Sequence, residues 1–165
     1  MKLKVLWHPD KNYKYKSDTL MAFTNQLIEF GTPEYDEAVS LRYEVLRKPL
    51  GLEFTEEQLS KEYEDVHIAC FDEMERMAGI LILTSIGEDV KMRQVAVRPD
   101  VQNRGIGKQM VVYAEHWAKH KGYKKMILNA RETASHFYLN LGYKIEGDKL
   151  EEVGIPHFFM WKELK

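Results

Sequence analysis

The chain has 165 residues, of which 44% are hydrophobic and 30% charged, and its formal net charge is −2. These values suit one folded domain with a sizeable core and exclude a disordered polar chain. The lack of a basic excess argues against nucleic-acid and membrane partners. The sequence therefore predicts a single domain over residues 25–165, preceded by an N-terminal arm over residues 1–24.

The N-terminal arm is polar and lysine-rich over residues 8–18, which predicts a disordered segment or an edge strand. Its apolar start is too short for a signal peptide, and no run in the chain approaches the ~20 apolar residues of a membrane span. Met21 is a second candidate start besides Met1, because the pattern after it looks like the beginning of a domain. The single cysteine, Cys70, allows no disulfide within the chain and favours a reducing, cytoplasmic compartment.

Cys70 alternates with apolar neighbours in a predicted strand, so we expect a core residue. A Cys-His nucleophile with His67 is not expected, since residues three apart on a strand point to opposite faces. A metal site is not expected either, because one cysteine cannot build a ligand framework and the six histidines show no HExxH spacing.

The first half of the chain predicts one strand, two helices and a three-stranded meander. A short strand is expected over residues 26–30. Thr32 and Pro33 start a helix that Pro49 and Gly51 end, and a capping box at Thr55 opens a shorter one. Alternating or apolar runs then predict three strands, over residues 66–71, 77–85 and 90–97.

The second half predicts a helix over residues 105–121, with an apolar stripe at helical spacing. This helix is followed by a short strand at 126–129, a helix at 133–141, and two strands at 143–147 and 158–161. The βαβ unit around residues 102–108 should have a right-handed crossover between parallel strands. The fold class is thus α/β, of the α+β type, with a mixed, mainly antiparallel sheet flanked by helices.

A glycine-rich turn, Gln-Asn-Arg-Gly-Ile-Gly-Lys at residues 102–108, lies between a strand and a helix. Such a turn presents backbone N–H groups on which a phosphate can sit. A P-loop would need glycine at Gln102 and Ser or Thr at Gln109. A dinucleotide fingerprint would need glycine at Met110 and an earlier place in the chain. A phosphate cradle and a plain helix-starting turn remain.

A second segment supplies Asn129-Ala130-Arg131, then Ala134, Phe137-Tyr138 and Leu141-Gly142-Tyr143. Together with Val95-Ala96-Val97-Arg98-Pro99 and the glycine turn, these motifs resemble the GNAT superfamily of N-acetyltransferases. The family signature Arg/Gln-x-x-Gly-x-Gly/Ala is met by Gln102, Gly105 and Gly107. The resemblance covers residues 26–164 and is specific over 90–145, while Gly154-Ile155-Pro156-His157 resembles one bacterial branch of the superfamily.

The resemblance implies a GNAT fold whose splayed central strands hold acetyl-CoA as co-substrate, with no metal. The strand backbone at Val95, Ala96 and Val97 would bind the pantetheine arm and the thioester carbonyl. Asn129 would bond the pantetheine chain, and Phe137 would pack against the cofactor or the core. The pyrophosphate would lie on the turn formed by Gln102, Asn103, Arg104, Gly105, Ile106, Gly107 and Lys108.

The implied chemistry is direct attack of a neutral amine on the thioester. Tyr138 matches the family position of the general acid, and a phenol with pKa ~10 can donate at pH 7; the alternative is a core tyrosine. Many relatives place a carboxylate base on the strand before Val95, where this chain has Arg93 and Gln94. Gln94 cannot act as a base, so the base stays open among four residues: Glu44, Glu132, His67 and His157.

Three residues are candidates for the acceptor side. Gln94 lies next to the expected thioester site. Arg42 on the first helix could hold an acidic group of the substrate, or lie on a solvated helix face. His157, in a predicted turn, belongs either to the site or to the scaffold, whereas His67 is more typical of a satisfied structural histidine.

We therefore expect an acyltransferase that moves an acetyl group from acetyl-CoA to a small-molecule or protein amine in a ternary complex. The alternative is a non-catalytic acyl-CoA binding or regulatory module, and a third class is an interaction scaffold without CoA binding. Many relatives pair through sheet edges or C-terminal strands, so a homodimer is a further expectation.

Overall fold

A computed structural model describes residues 13–15 and 22–165, with side chains from residue 22 onward. In this part of the chain nine strands form one sheet. The strands are β1 (Tyr13–Tyr15), β2 (Phe23–Ile28), β3 (Val66–Phe71), β4 (Met77–Ile86), β5 (Asp89–Val97), β6 (Lys125–Arg131), β7 (Lys144–Ile145), β8 (Leu150–Glu152) and β9 (Ile155–Glu163). The α-helices are α1 (Pro33–Arg42), α2 (Glu56–Ser60), α3 (Ile106–His120) and α4 (Ser135–Asn140).

The sheet has the order β1-β2-β3-β4-β5-β6-β9-β7, and β8 adds to β9. Among the described strands, β5 and β6 form a parallel pair and the remaining pairs are antiparallel. Helix α3 connects the two parallel strands, as the βαβ pattern predicted. The expected mixed, mainly antiparallel sheet flanked by helices is therefore confirmed.

The two faces of the sheet are covered by different helices. On the α3 face, Ile68 and Leu81 pack with α3 residues such as Met110. On the α1 face, Ile80 and Ala96 pack with Ala38 of α1. Because successive strand residues point to opposite faces, each central strand contributes to both cores.

Several predicted boundaries were wrong. Strand β2 begins three residues earlier than expected, and Tyr13–Tyr15, within the lysine-rich segment, pair with it as an edge strand. β9 begins at Ile155 instead of 158, because β8 pairs with it across a turn at Val153 and Gly154, both with positive φ. Proline usually marks a strand break, but Pro156 lies inside β9. The remaining expectations for residues 1–12 and 16–21 lie outside the described residues.

Other segments are short helical turns. A π-helical turn (Tyr43–Arg47) and a 3-10 turn (Lys48–Leu50) continue from α1, so the predicted first helix is divided. Further 3-10 turns occupy Lys61–Glu64, Pro99–Val101 and Glu132–Ala134. The capping box predicted at Thr55 is present, with reciprocal bonds to Gln58.

Candidate active site

The two parallel strands pair only at their beginnings. Val90 lies opposite Met126, and Lys91 opposite Ile127. Beyond these pairs, β5 stays bonded to β4 and β6 stays bonded to β9, so the strands separate. A cavity of about 350 Å³ opens at the point of separation. Its lining includes Gln94 and Val95 of β5, Asn129 and Arg131 of β6, and Tyr138, Glu152 and His157.

A β-bulge lies in β5 at this cavity. Ile80 pairs with Ala96 and Ile82 pairs with Arg93, so two residues of β5 stand against one of β4. One of these two, Gln94, has φ +52, in the left-handed region that non-glycine residues rarely adopt. Bulges re-aim backbone and side chains, often next to active sites. Because Gln94 also lines the cavity, the bulge lies at the gap between the two strands.

A buried ion pair on the α1 face holds Gln94. Arg42 is fully buried and donates to both carboxylate oxygens of Glu62 at 2.9 and 3.0 Å. It also donates to Oε1 of Gln94 at 2.9 Å, while the Tyr35 hydroxyl donates to Glu62 at 2.8 Å. Burial alone would raise the pKa of Glu62, but the hydrogen bonds and charge of Arg42 outweigh it and lower that pKa.

Arg42 therefore does not line the cavity and acts on it through Gln94. The interpretation of Arg42 as part of a solvated helix face was wrong, because its side chain is 0% exposed. His67 lies in the same network and donates from Nε2 to the Glu62 carbonyl at 3.1 Å. Burial lowers the pKa of His67. His67 therefore lies in the buried network around Glu62, outside the cavity lining.

The glycine turn leaves the start of α3 uncapped. Gly105 is the N-cap residue, with φ +80, and no side chain bonds the first turn. The first N–H groups of a helix have no partner within it. A Cβ at Gly105 would meet nothing within 4 Å, so the backbone here is open. An uncapped 15-residue helix with an open N-terminus favours an anionic ligand.

Neighbouring side chains fix this turn to the end of β5. Gln102 donates from its amide to the Val97 carbonyl at 3.0 Å. Ile106 is buried and anchors α3. The Phe137 ring comes within 3.5 Å of the Cβ position of Gly107, and Val97 within 3.8 Å. Asn103, Arg104 and Lys108 are exposed at the same turn. The structure thus places the turn, Phe137 and Val97 in one region.

Tyr138 lines the cavity from α4 and is 7% exposed. Its ring makes edge contacts with Phe137 and Tyr143, at centroid distances of 4.9 and 5.6 Å. Burial raises the pKa of Tyr138 to about 12. The hydroxyl therefore stays protonated at neutral pH and can donate a hydrogen bond.

A polar chain crosses the far side of the cavity. The Asn129 amide donates to Oε1 of Glu152 at 2.5 Å, and Oε2 of Glu152 lies 3.8 Å from Nε2 of His157. Nδ1 of His157 donates to the Ile155 carbonyl at 2.8 Å. Because a carbonyl only accepts, Nδ1 carries the proton, and the lone pair of the neutral ring is on Nε2. The side chain of Asn129, which the resemblance assigned to pantetheine, is thus bound to Glu152 through its amide nitrogen.

Of the four candidate bases, His157 is the one that lines the cavity. Glu44 and Glu132 instead form ion pairs with Lys48 and Lys149. Glu152 was not predicted, because strand β8, which carries it, has three residues and no clear pattern. The signal that could have found it is the turn at Val153 and Gly154, which folds β8 back on β9.

Cys70 and the possible metal ligands within residues 22–165 form no further site. Cys70 is fully buried in the core, as predicted, and burial raises the pKa of its thiol to about 12. Within residues 22–165, no group of three or more His, Cys, Asp or Glu side chains is arranged to hold a metal ion. In the same part of the chain, no helix combines the length and apolar character required to cross a membrane.

The sequence model of the family described as "Acetyltransferase (GNAT) domain" matches residues 34–164. The match spans most of the chain, which therefore belongs to the GNAT acetyltransferase family.

The chain is also similar to individual proteins. YyaT of Bacillus subtilis is 33% identical over 79 residues, 48% of this chain and 53% of that protein. The chain thus spans about half the length of the curated relatives it matches.

The fold of this chain is similar to that of a protein from Lactobacillus plantarum described as an N-acetyltransferase, with TM-score 0.76, 22% identity and coverage of 86% and 99% of the two chains. An aminoglycoside 6'-N-acetyltransferase complexed with coenzyme A gives TM-score 0.72, 17% identity and coverage of 86% and 97%.

Proposed function

We propose that this protein transfers an acetyl group from acetyl-CoA to a primary amine, by direct attack within a ternary complex. The observation that carries the proposal is the gap between β5 and β6, which opens beside the uncapped N-terminus of α3. One element suits an extended amide chain and the other suits a phosphate group. Acetyl-CoA contains both, joined to a reactive thioester.

The cofactor would lie across the gap from the turn to the bulge. Its pyrophosphate binds the N–H groups at the start of α3, where Gly105 leaves open space. Its pantetheine arm runs along β5 beyond Lys91, where the strand has no partner on the β6 side. An amide chain can bond to a free strand edge as another strand would.

The reaction joins the amine nitrogen to the acetyl carbon and breaks the bond from that carbon to sulfur. Negative charge develops on the acetyl oxygen, and a backbone N–H at the bulge by Gln94 and Val95 would donate to it. CoA leaves as a thiolate. The ammonium form of the acceptor first loses one proton to become the attacking amine, and the nitrogen loses a second proton as the amide forms. The thiolate takes up one proton, so the products are the N-acetylated amine and CoA, with one net proton released to solvent.

His157 receives the proton of the attacking amine in this scheme. Its Nε2 carries the lone pair in the neutral ring, and the Glu152 carboxylate 3.8 Å away would stabilise the imidazolium that forms. An amine with pKa ~10.4 is mostly charged at neutral pH, so a group that accepts this proton is required.

Tyr138 stabilises the leaving sulfur. A thiol has a pKa near 8.5, whereas the pKa of Tyr138 is raised to about 12. The phenol is therefore the weaker acid, and its contribution is a hydrogen bond donated to the thiolate as the carbon–sulfur bond breaks. Solvent supplies the final proton.

Titration calorimetry with acetyl-CoA and desulfo-CoA, combined with a thiol-release screen of amines, tests the proposal. We expect both ligands to bind and CoA to be released in proportion to the amine. Binding without release across a broad panel would support a regulatory module instead. Absence of binding would contradict the assignment of residues 102–108 to the pyrophosphate.

A further inference from the structure

Two arginines line the cavity without a carboxylate partner. No ion pair among the described residues includes Arg47 or Arg131. Arg131 donates to the Leu46 carbonyl at 3.2 Å, and the Arg47 guanidinium lies 4.7 Å from the Phe54 ring centre. These contacts orient both guanidinium groups and leave their charge uncompensated.

The two charges act on each other. Burial lowers the pKa of Arg47, and the positive charges of Arg131 and Arg42 lower it further. Arg42 is neutralised by Glu62, and Arg93, which also lines the cavity, is paired with Asp65. Lys91, a third lining residue without an ion pair among the described residues, adds to the positive charge. Like charges that are half-buried and close together repel each other, and an anion bound between them would relieve this repulsion.

An anion bound by Arg47 and Arg131 would be distinct from the phosphates assigned to CoA. In β6, Leu128 and Ala130 belong to the core under α3, so Asn129 and Arg131 point to the α1 face. The glycine turn instead contacts Val97 and Phe137 on the α3 side. The arginines and the cofactor turn thus lie on opposite faces of the sheet, so an anion bound by the arginines would belong to the second substrate.

We propose that the acceptor is a small amine carrying a carboxylate, which Arg47 and Arg131 bind while the amine reaches His157; this rests on the proposed acetyl transfer. The planar guanidinium fork matches a carboxylate. Arg131 lies directly opposite His157 in the β6–β9 register, so a short molecule can span both ends. The Glu152 carboxylate near His157 supplies the complementary charge for the ammonium form before deprotonation. A cavity of about 350 Å³ suits a small molecule.

Matched acceptor pairs test this specificity. The probes are glycine, β-alanine and 4-aminobutyrate, each compared with its carboxamide in the thiol-release assay. Rates are corrected for the fraction of neutral amine, because the amide changes the amine pKa. We expect at least one carboxylated amine to be preferred about tenfold or more in kcat/KM, which equals about 1.4 kcal/mol and lies near the range for a hydrogen bond to a charged group.

Variants identify the residues responsible. Arg47→Gln and Arg131→Gln should each reduce the preference, the double variant should abolish it, and the Lys variants should retain part of it. The Kd for acetyl-CoA should not change in any of them. Lys121→Gln is the control, since it removes one positive charge at the end of α3, outside the cavity lining. Thermal unfolding of every variant excludes misfolding as the cause.

The outcomes separate the two proposals. If wild-type protein fails to bind acetyl-CoA, the proposed function itself is contradicted. If acetyl-CoA binds but carboxamides serve as well as carboxylates, or no carboxylated amine releases CoA, the inference is overturned. A raised Kd for acetyl-CoA in the Gln variants would also overturn it, because the arginines would then serve the cofactor.

Discussion

The two sides of the gap are built by different means. On the α3 side, the site consists of backbone groups, presented by a left-handed Gly105 and an uncapped helix. On the α1 side, it consists of charged side chains from the turn after α1, from β6 and from β8. A backbone site needs a few residues close in sequence, whereas a side-chain site needs distant segments to meet. The first is therefore compact in sequence and the second is dispersed.

The largest expected effect is on stability and concerns the α1 side. Glu62→Gln leaves the fully buried Arg42 without its counter-charge. Breaking a buried pair in this way destabilises a protein by about 3–5 kcal/mol. Urea unfolding should show a much lower midpoint. Glu57→Gln, which breaks the exposed pair with Lys61, is the matched control and should leave the midpoint almost unchanged.

The same pair makes stability depend on pH. The pKa of Glu62 is lowered in the folded state, so its contribution is present above the ordinary glutamate pKa near 4.3. That contribution is lost as the pH falls through the lower, folded-state value. Wild-type protein should thus lose stability in acid more steeply than Glu62→Gln. Parallel acid profiles of the two proteins would contradict a charged Glu62.

The second-largest expected effect is on the catalytic rate and concerns Tyr138 in the cavity. Tyr138→Phe should lower kcat by about 10²-fold or more, because the leaving sulfur loses its donor. The Kd for acetyl-CoA should stay nearly constant. Tyr63→Phe, at an exposed residue outside the cavity, is the matched control.

The pH profile sharpens this prediction. Since the pKa of Tyr138 is raised to about 12, its hydroxyl keeps the proton throughout the ordinary assay range. An ordinary phenol, with a pKa near 10, would begin to lose its proton between pH 8 and pH 10. With the raised pKa of Tyr138, the rate should not fall over this range through loss of the donor. An unchanged kcat in Tyr138→Phe would indicate a core tyrosine instead.

A third effect separates stability from affinity on the α3 side. Gly105→Ala forces alanine into φ +80 and should destabilise the fold by about 1 kcal/mol or more. Gly107→Ala lies in the helix, where its methyl meets Phe137 and Val97 at ordinary contact distances, and should stabilise by about 0.5–1 kcal/mol. Both methyl groups lie at the proposed pyrophosphate site, so both variants should bind acetyl-CoA about tenfold more weakly.

Calorimetry and unfolding of the two variants check this together. If affinity follows stability, so that Gly107→Ala binds acetyl-CoA as well as wild type, the turn matters for folding and not for the cofactor. Opposite changes in stability with the same loss of affinity would support a backbone cradle for the phosphates.

The difference between the two sides also explains what the sequence could predict. The glycine spacing at 102–108 and the pair Phe137-Tyr138 are local patterns, and in the structure Phe137 lies against Gly107 while Tyr138 lines the cavity. The position of Arg42 on a helix suggested solvent, because no local pattern shows Glu62 returning twenty residues later to pair with it. Glu152, Arg47 and Arg131 were missed for the same reason: they meet only after the sheet has assembled.

The smallest expected effect concerns Gln94, where the side-chain network reaches the backbone of the gap. Gln94→Gly relieves the left-handed φ but loses the bond from Arg42, and these opposing changes of about 1 kcal/mol each should nearly cancel in unfolding experiments. Gln94→Leu loses the bond and keeps the strain, so it should be the less stable variant. If the bulge positions the oxyanion donor, Gln94→Gly should lower kcat despite its nearly unchanged stability, because a mobile backbone no longer holds the N–H in place. A wild-type kcat in Gln94→Gly would mean that the ion pair on the α1 side serves only the fold.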